Sequence, residues 1–121
     1  MKNERIALGK YLGETMGVDL FSGRLKTGTN KPYITFDFIA NRFTEPSIQP
    51  LIIWHNSNSY QEVEEITEKL RVAISENGVL VPFDGGYITV YLGNPYAQHY
   101  PQPEDNIKAI YVNIITTIYK I

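Results

Sequence analysis

Apolar residues alternate with polar ones most regularly at the end of the chain. From Lys108 to Lys120, Ile110, Val112, Ile114, Thr116 and Ile118 fall on one side, which predicts one long strand. At about 3.3 Å per residue such a strand spans roughly 43 Å, about twice a usual strand of five or six residues, so it is expected to bend, carry a bulge or project from the domain. The same period of two appears in YITVYL, where Ile88, Val90 and Leu92 oppose Tyr87, Thr89 and Tyr91, and in PYITFDF, where Ile34, Phe36 and Phe38 oppose Tyr33, Thr35 and Asp37. VLVPF reads as a short strand joined to YITVYL by the turn Asp84-Gly85-Gly86. LIIW, continuous and apolar, reads as a strand covered on both faces.

Two stretches carry the period of a helix instead. Asn3 is placed to cap a first helix with Ile6, Leu8, Tyr11, Leu12 and Met16 along one stripe and Gly17 as its stop. Gly9 and Gly13 inside it each cost about 1 kcal/mol relative to alanine, which points to close packing against the bare backbone. In the second stretch Val63, Ile66, Leu70, Ala73 and Ile74 form the stripe, and Glu64, Glu65, Glu68, Lys69 and Arg71 form the wet side. Ser59-x-x-Glu62 has the spacing of a capping box at its start, and Asn77-Gly78 that of a stop.

Between these elements, VDLFSGRL and the turn-rich Lys26–Lys31 segment predict an early hairpin with PYITFDFIA. Residues 41–50 read as a loop in which Pro46 and Pro50 prevent regular pairing, and residues 93–105, rich in Pro and Tyr, read as a second loop. The order helix, hairpin, strand, helix, then two or three strands predicts a single α+β domain over residues 1–121. It would have a mostly antiparallel β-sheet with two helices packed on one face.

A chain of 121 residues suffices for one core, and its 43% hydrophobic and 20% charged residues are those of globular proteins. No apolar run approaches the roughly 20 residues that cross a bilayer, and the N-terminal stretch lacks the apolar block of a secretory signal, so no membrane is expected among its partners. With no cysteine there is neither disulfide nor thiolate chemistry. The net charge of −2 divides unevenly: six bases and three acids make residues 1–31 +3, and the remainder is −5. Such polarity suits end-to-end alignment of subunits, although scatter over a wet surface is the simpler explanation.

The chemistry-bearing residues do not cluster by spacing. Two histidines without H-x-H or H-x-x-x-H spacing offer no metal site and no cofactor is indicated; no G-x-S-x-G elbow is present, so no enzymatic activity is expected. His55, in LIIWHNSNSYQEVEEI, stands where a buried strand hands over to a helix, a junction that explains it without catalysis. The rival reading joins His55 and His99 to Asp84 as an orienting acid. In the 94–105 segment, Tyr96, His99 and Tyr100 stand among Pro95, Pro101 and Pro103, a composition suited to a rigid aromatic contact with a partner. A stand-alone binding module using this segment is the third reading.

LIIWHNSNSYQEVEEITEKLRVAI, GGYITVYLGNPYAQHYPQPED and IKAIYVNIITTIYKI, with the N-terminal helix and PYITFDF, resemble a family of small phage virion proteins. These are minor capsid or tail-completion proteins, including the tail terminators of long-tailed bacteriophages; the likeness covers nearly the whole chain. The resemblance implies a tail-terminator-like fold and a structural, non-catalytic subunit of a homo-oligomeric ring, commonly a hexamer. Such a ring ends the tail tube and joins tail to head in a phage or prophage virion, after synthesis in the host bacterial cytoplasm. Its partners would be the tail tube protein and a head-completion or neck protein; another neck, head-closure or connector role is the alternative. Within that frame Tyr96, His99, Tyr100, Tyr111 and Tyr119 are the candidate contacts with copies or partners. Arg24, Lys26 and Lys31 are candidates to face non-specific DNA in the lumen, and strand edges from Lys108 onward and near Lys26 would join neighbours by sheet extension.

Overall fold

The long alternating segment at the C-terminus organises the molecule. In the computed structural model, which describes residues 2–21, 31–102 and 104–121, it forms β6 (Lys108–Lys120), the strand with the most extensive pairing. The other elements are α1 (Lys2–Met16), β1 (Asp19–Phe21), β2 (Tyr33–Phe36), β3 (Pro46–His55), α2 (Gln61–Ile74), β4 (Val79–Phe83) and β5 (Gly86–His99). They make an α+β fold in which one six-stranded sheet, in the order β1-β2-β3-β6-β5-β4, carries both helices on one face. Among the described residues all pairings are antiparallel except β1 with β2, which is parallel.

The main core lies between sheet and helices. Leu8, Leu12 and Met16 of α1 and Val63, Ile66, Leu70 and Ile74 of α2 close over Leu51, Ile53, Ile88, Val90 and the even-numbered apolar residues of β6. Each large side chain so buried stabilises the fold by roughly 1.5–3 kcal/mol. Ile6 and Ala73, expected on the helix stripes, are exposed, and Thr67 takes a buried place instead by returning its hydroxyl to the Val63 carbonyl at 2.6 Å. α1 stops at Gly17, whose φ of +68° is the left-handed geometry that glycine adopts without a Cβ clash. Around Gly9 and Gly13 the packing is ordinary: a Cβ would stand 3.6 Å from the Leu20 side chain and 3.4 Å from the Val18 carbonyl.

Several expectations for the strands require correction. β6 neither projects nor offers an edge, because β3 pairs with it from Lys108 to Thr117 and β5 from Ile110 to Lys120. Residues 46–50 belong to β3 rather than to a loop. Pro46 opens the strand, and β2 ends at Phe36 opposite Leu51, so both prolines lie where β3 has a neighbouring strand on one side only. Beside that bare flank the Gln49 side chain acts as a surrogate strand. It accepts from the Ile39 N–H at 2.9 Å, donates to the Ile39 carbonyl and reaches Thr116 Oγ1 at 3.0 Å.

The early hairpin is not formed by β1 and β2, since parallel strands cannot be joined by a tight turn; Arg24, Lys26 and the expected turn lie outside the described residues. The capping box is also replaced. α2 begins at Gln61 with Tyr60 at the N-cap position and no side-chain cap, while Ser59 Oγ accepts from the Gln61 N–H at 3.1 Å. At its other end the helix stops at Ile74, with Ser75 at φ 56°, ahead of Asn77-Gly78.

Candidate functional site: the outer face of the sheet

The residues that point away from the helices follow from strand alternation and register. Across β3, β6, β5 and β4 they form rows: Ile52 with Tyr111 and Gln98, Ile48 with Ile115 and Tyr91, Thr117 with Thr89 and Leu80, Tyr119 with Tyr87 and Pro82. A row at the end adds Trp54, Ala109 and Tyr100, the last held by its N–H to the Ala109 carbonyl at 2.9 Å. Among the described residues, no outward position on these four strands carries a charge. An antiparallel sheet with a wet face ordinarily alternates apolar inside with charged or polar outside. Here the outside holds Ile48 at 62% exposure, Leu80 at 58% and Tyr91 at 44%. The helical side is the opposite, with Glu62, Glu64, Glu65, Glu68, Lys69 and Arg71 all exposed on α2.

Aromatic rings reinforce the outer face. Tyr87 and Tyr119 stack at 5.0 Å across β5 and β6, Tyr100 meets Trp54 edge-on at 5.9 Å, and Tyr111 lies 6.2 Å from Tyr100. Trp54 is fixed from below by donating its indole N–H to Thr35 Oγ1 at 2.8 Å, within a small buried cluster with Tyr33 and Ala109. A groove of about 350 Å³ runs over β3 from the end of β2 to β6, lined by Thr35, Asp37, Ile39, Pro50, Ile52 and Tyr111.

A bulge in β5 decides which tyrosines reach this face. Leu92 pairs with Ile114 and Ala97 with Val112, so the four residues Gly93–Tyr96 oppose Asn113 alone. Three extra residues, an odd number, invert the alternation: Ala97 and His99 turn toward α2, and Gln98 and Tyr100 turn outward. Gly93 lets the bulge lie against β6, since a Cβ there would stand 2.7 Å from the Asn113 carbonyl oxygen. The segment expected as a projecting loop from residue 94 is therefore strand as far as His99, and it is anchored. Tyr96 donates its hydroxyl to the Thr67 carbonyl at 2.8 Å, and burial, with the Glu68 carboxylate nearby, pushes its pKa well above the usual tyrosine range.

His99 stacks on Tyr60 at 3.8 Å and meets the Glu64 carboxylate at 3.0 Å; Lys108 Nζ also lies over the Tyr60 ring, at 5.3 Å. His55 is buried at the strand-to-helix junction with Nε2 3.5 Å from Glu62, and its Nδ1 has no hydrogen-bond partner among the described residues. The two histidines stand on strands either side of β6, opposite Lys108 and Ile110, roughly 12 Å apart by strand spacing and rise. Asp84 is distant from both. It precedes Gly86, which pairs with Lys120, whereas His99 pairs with Ile110, ten residues or roughly 33 Å away along β6. The His55–His99–Asp84 arrangement is thus not assembled.

Of the five contact candidates, Tyr100, Tyr111 and Tyr119 share the outer face, and Tyr96 and His99 brace α2. Lys31 is exposed just ahead of β2; Arg24 and Lys26 lie outside the described residues. Sequence reading missed Ile48, Leu80, Tyr91 and Ile115 as members of one surface, because they come from four strands and only the register unites them. Among the described residues no group of three or more His, Asp or Glu side chains is placed to hold a metal, and no helix is long and apolar enough to cross a membrane. No protein-family model matches the chain, and no curated protein sequence matches it.

Proposed function

We propose that this protein is a structural assembly subunit of a long-tailed phage or prophage virion, a ring-forming component that ends the tail tube and joins it to the head. The observation that carries the assembly part of this reading is the charge-free outer face of β3, β6, β5 and β4. The cores of protein contacts are depleted in charge and enriched in aromatic side chains, and this face has that composition. Tyr100, Tyr111 and Tyr119 act there as rigid contacts whose hydroxyls supply hydrogen bonds at the rim. The virion part rests on the sequence resemblance, which covers both helices and the strands from PYITFDF onward.

Sheet extension between neighbours is assigned to β4 and β1, the edge strands among the described residues, because β6 is enclosed. A ring needs two different complementary surfaces on each subunit, and opposite edges of one sheet provide such a pair. Lys31, with Arg24 and Lys26, remains the candidate for DNA in the lumen.

Deleting the gene tests the reading. Full heads and separate tails are expected in the lysate, with joined particles restored by supplying the protein in trans. Normally joined, infectious particles from the deletion strain would refute it.

A further inference from the structure

The outer face has a second occupant available before any virion exists. We infer that the free protein pairs with a second copy of itself, outer face to outer face, as a two-fold sheet-on-sheet dimer. The inference rests on the reading of this face as the assembly surface and assigns what covers it when neither tail nor head is present.

Three properties of the face suit a second copy. The first is charge. The outward positions of the four strands are Ile, Leu, Tyr, Thr, Pro, Trp, Ala, Asn and Gln, so two copies meet with no like-charge repulsion. An acidic or basic partner would instead leave its own charges desolvated and unpaired against this surface. The helical side, with four exposed glutamates on α2, is a poor cover for the same reason.

The second property is shape. Four adjacent antiparallel strands make a broad sheet surface, and two sheets of the same twist pack face to face about 10 Å apart with their strands within about 30° of alignment. Ile48, Ile115 and Tyr91 form an apolar row across β3, β6 and β5 on which such packing can centre.

The third property is area. β6 and β5 contribute about eight residue steps each from Tyr111 to Tyr119, β3 about six and β4, which reaches only the Tyr119 end, about four. At about 3.3 Å per step and 4.8 Å per strand the planar footprint is about 400 Å², or about 800 Å² for two copies, and side-chain relief raises it. That is the size of a weak, reversible interface, which suits a dimer that dissociates on dilution. A two-fold contact uses the same patch on both copies and closes on itself, so it stops at two. Pairing hides the surface that the virion role uses, which makes the dimer and the assembled subunit alternative states of one face.

Sedimentation velocity across a wide concentration series, on the full chain, tests this. The wild type is expected to plateau at twice 13.8 kDa and to dissociate on dilution. Ile48→Lys and Tyr91→Lys, both at exposed positions, are expected to sediment as monomers with unchanged circular dichroism. Val72→Lys, 69% exposed on the helical side, is expected to dimerise as the wild type does. A wild type monomeric at every concentration, or a dimer that survives in both outer-face variants, would overturn the inference. A larger ring lost in those variants would also overturn it, by assigning the face to ring contacts, while leaving the virion reading intact. A confirmed dimer from a gene whose deletion leaves particles joined would remove the virion reading alone.

Discussion

Gln49 shows how much one side chain can hold. It is fully buried, and its amide serves both backbone groups of Ile39 as well as Thr116. Gln49→Met keeps the volume and removes every one of these bonds, leaving the Ile39 N–H and carbonyl without this partner. Ile39 itself is 45% exposed, so water replaces part of what is lost, and urea denaturation should show a loss of about 1–2 kcal/mol; a loss below about 0.5 kcal/mol would contradict the surrogate-strand role. Tyr96 gives a second residue-scale expectation. Its folded pKa is raised, so the neutral hydroxyl is the form the fold favours. That stabilisation is complete below the unfolded tyrosine value near 10 and is lost as pH rises through the folded value. Tyr96→Phe should cost about 0.5–1.5 kcal/mol at neutral pH and lessen the loss of stability above about pH 10. At this scale the sequence was only partly legible. Ser59 and Glu62 had the spacing of a capping box, yet Ser59 bonds Gln61 while Glu62 faces His55, because spacing does not fix which local hydrogen bond wins.

Among the elements, β6 was readable to its ends because its alternation is uninterrupted, and α2 because its stripe is broad. β3 and β5 were truncated in the sequence reading for one reason: proline, glycine and polar residues mark loops on average, whereas here they sit on an unpaired flank or inside a bulge. Pro46 and Pro50 occupy the one-sided half of β3, and Gly93–Tyr96 form the bulge of β5. No local signal revealed that the bulge reverses which residues face out, and this is why Tyr96 and Tyr100 were grouped as one contact when they serve opposite sides. Gly93→Ala tests the element directly. The added Cβ meets main-chain atoms of Asn113, so β5 must shift away from the central strand. A destabilisation of about 1–3 kcal/mol is expected in thermal or urea unfolding. If the variant matched the wild type, the bulge would not lie against β6 as described.

For the molecule as a whole, the distribution of charge matters more than its sum. Net charge is only −2, yet the helix α2 carries charges at six positions and the outward positions of β3, β6, β5 and β4 carry none, with Asp37, an acid beyond the end of β2, lining the groove beside them. Composition hides this asymmetry; only the strand order and register reveal it. Contacts made through the outer face should therefore be nearly insensitive to salt, and raising ionic strength from low to physiological should leave the self-association constant within about twofold. A tenfold weakening would indicate that charged groups carry the contact instead. The central claim is that this sheet face is the surface by which the protein is built into a phage head–tail junction. An electron cryomicroscopy reconstruction of that junction, in particles from the genome that encodes the chain, tests it most directly. A ring of copies is expected there, with Ile48, Tyr91 and Ile115 buried against a neighbouring subunit or virion protein. Density showing the junction without this protein, or with those three side chains facing open solvent, would contradict it.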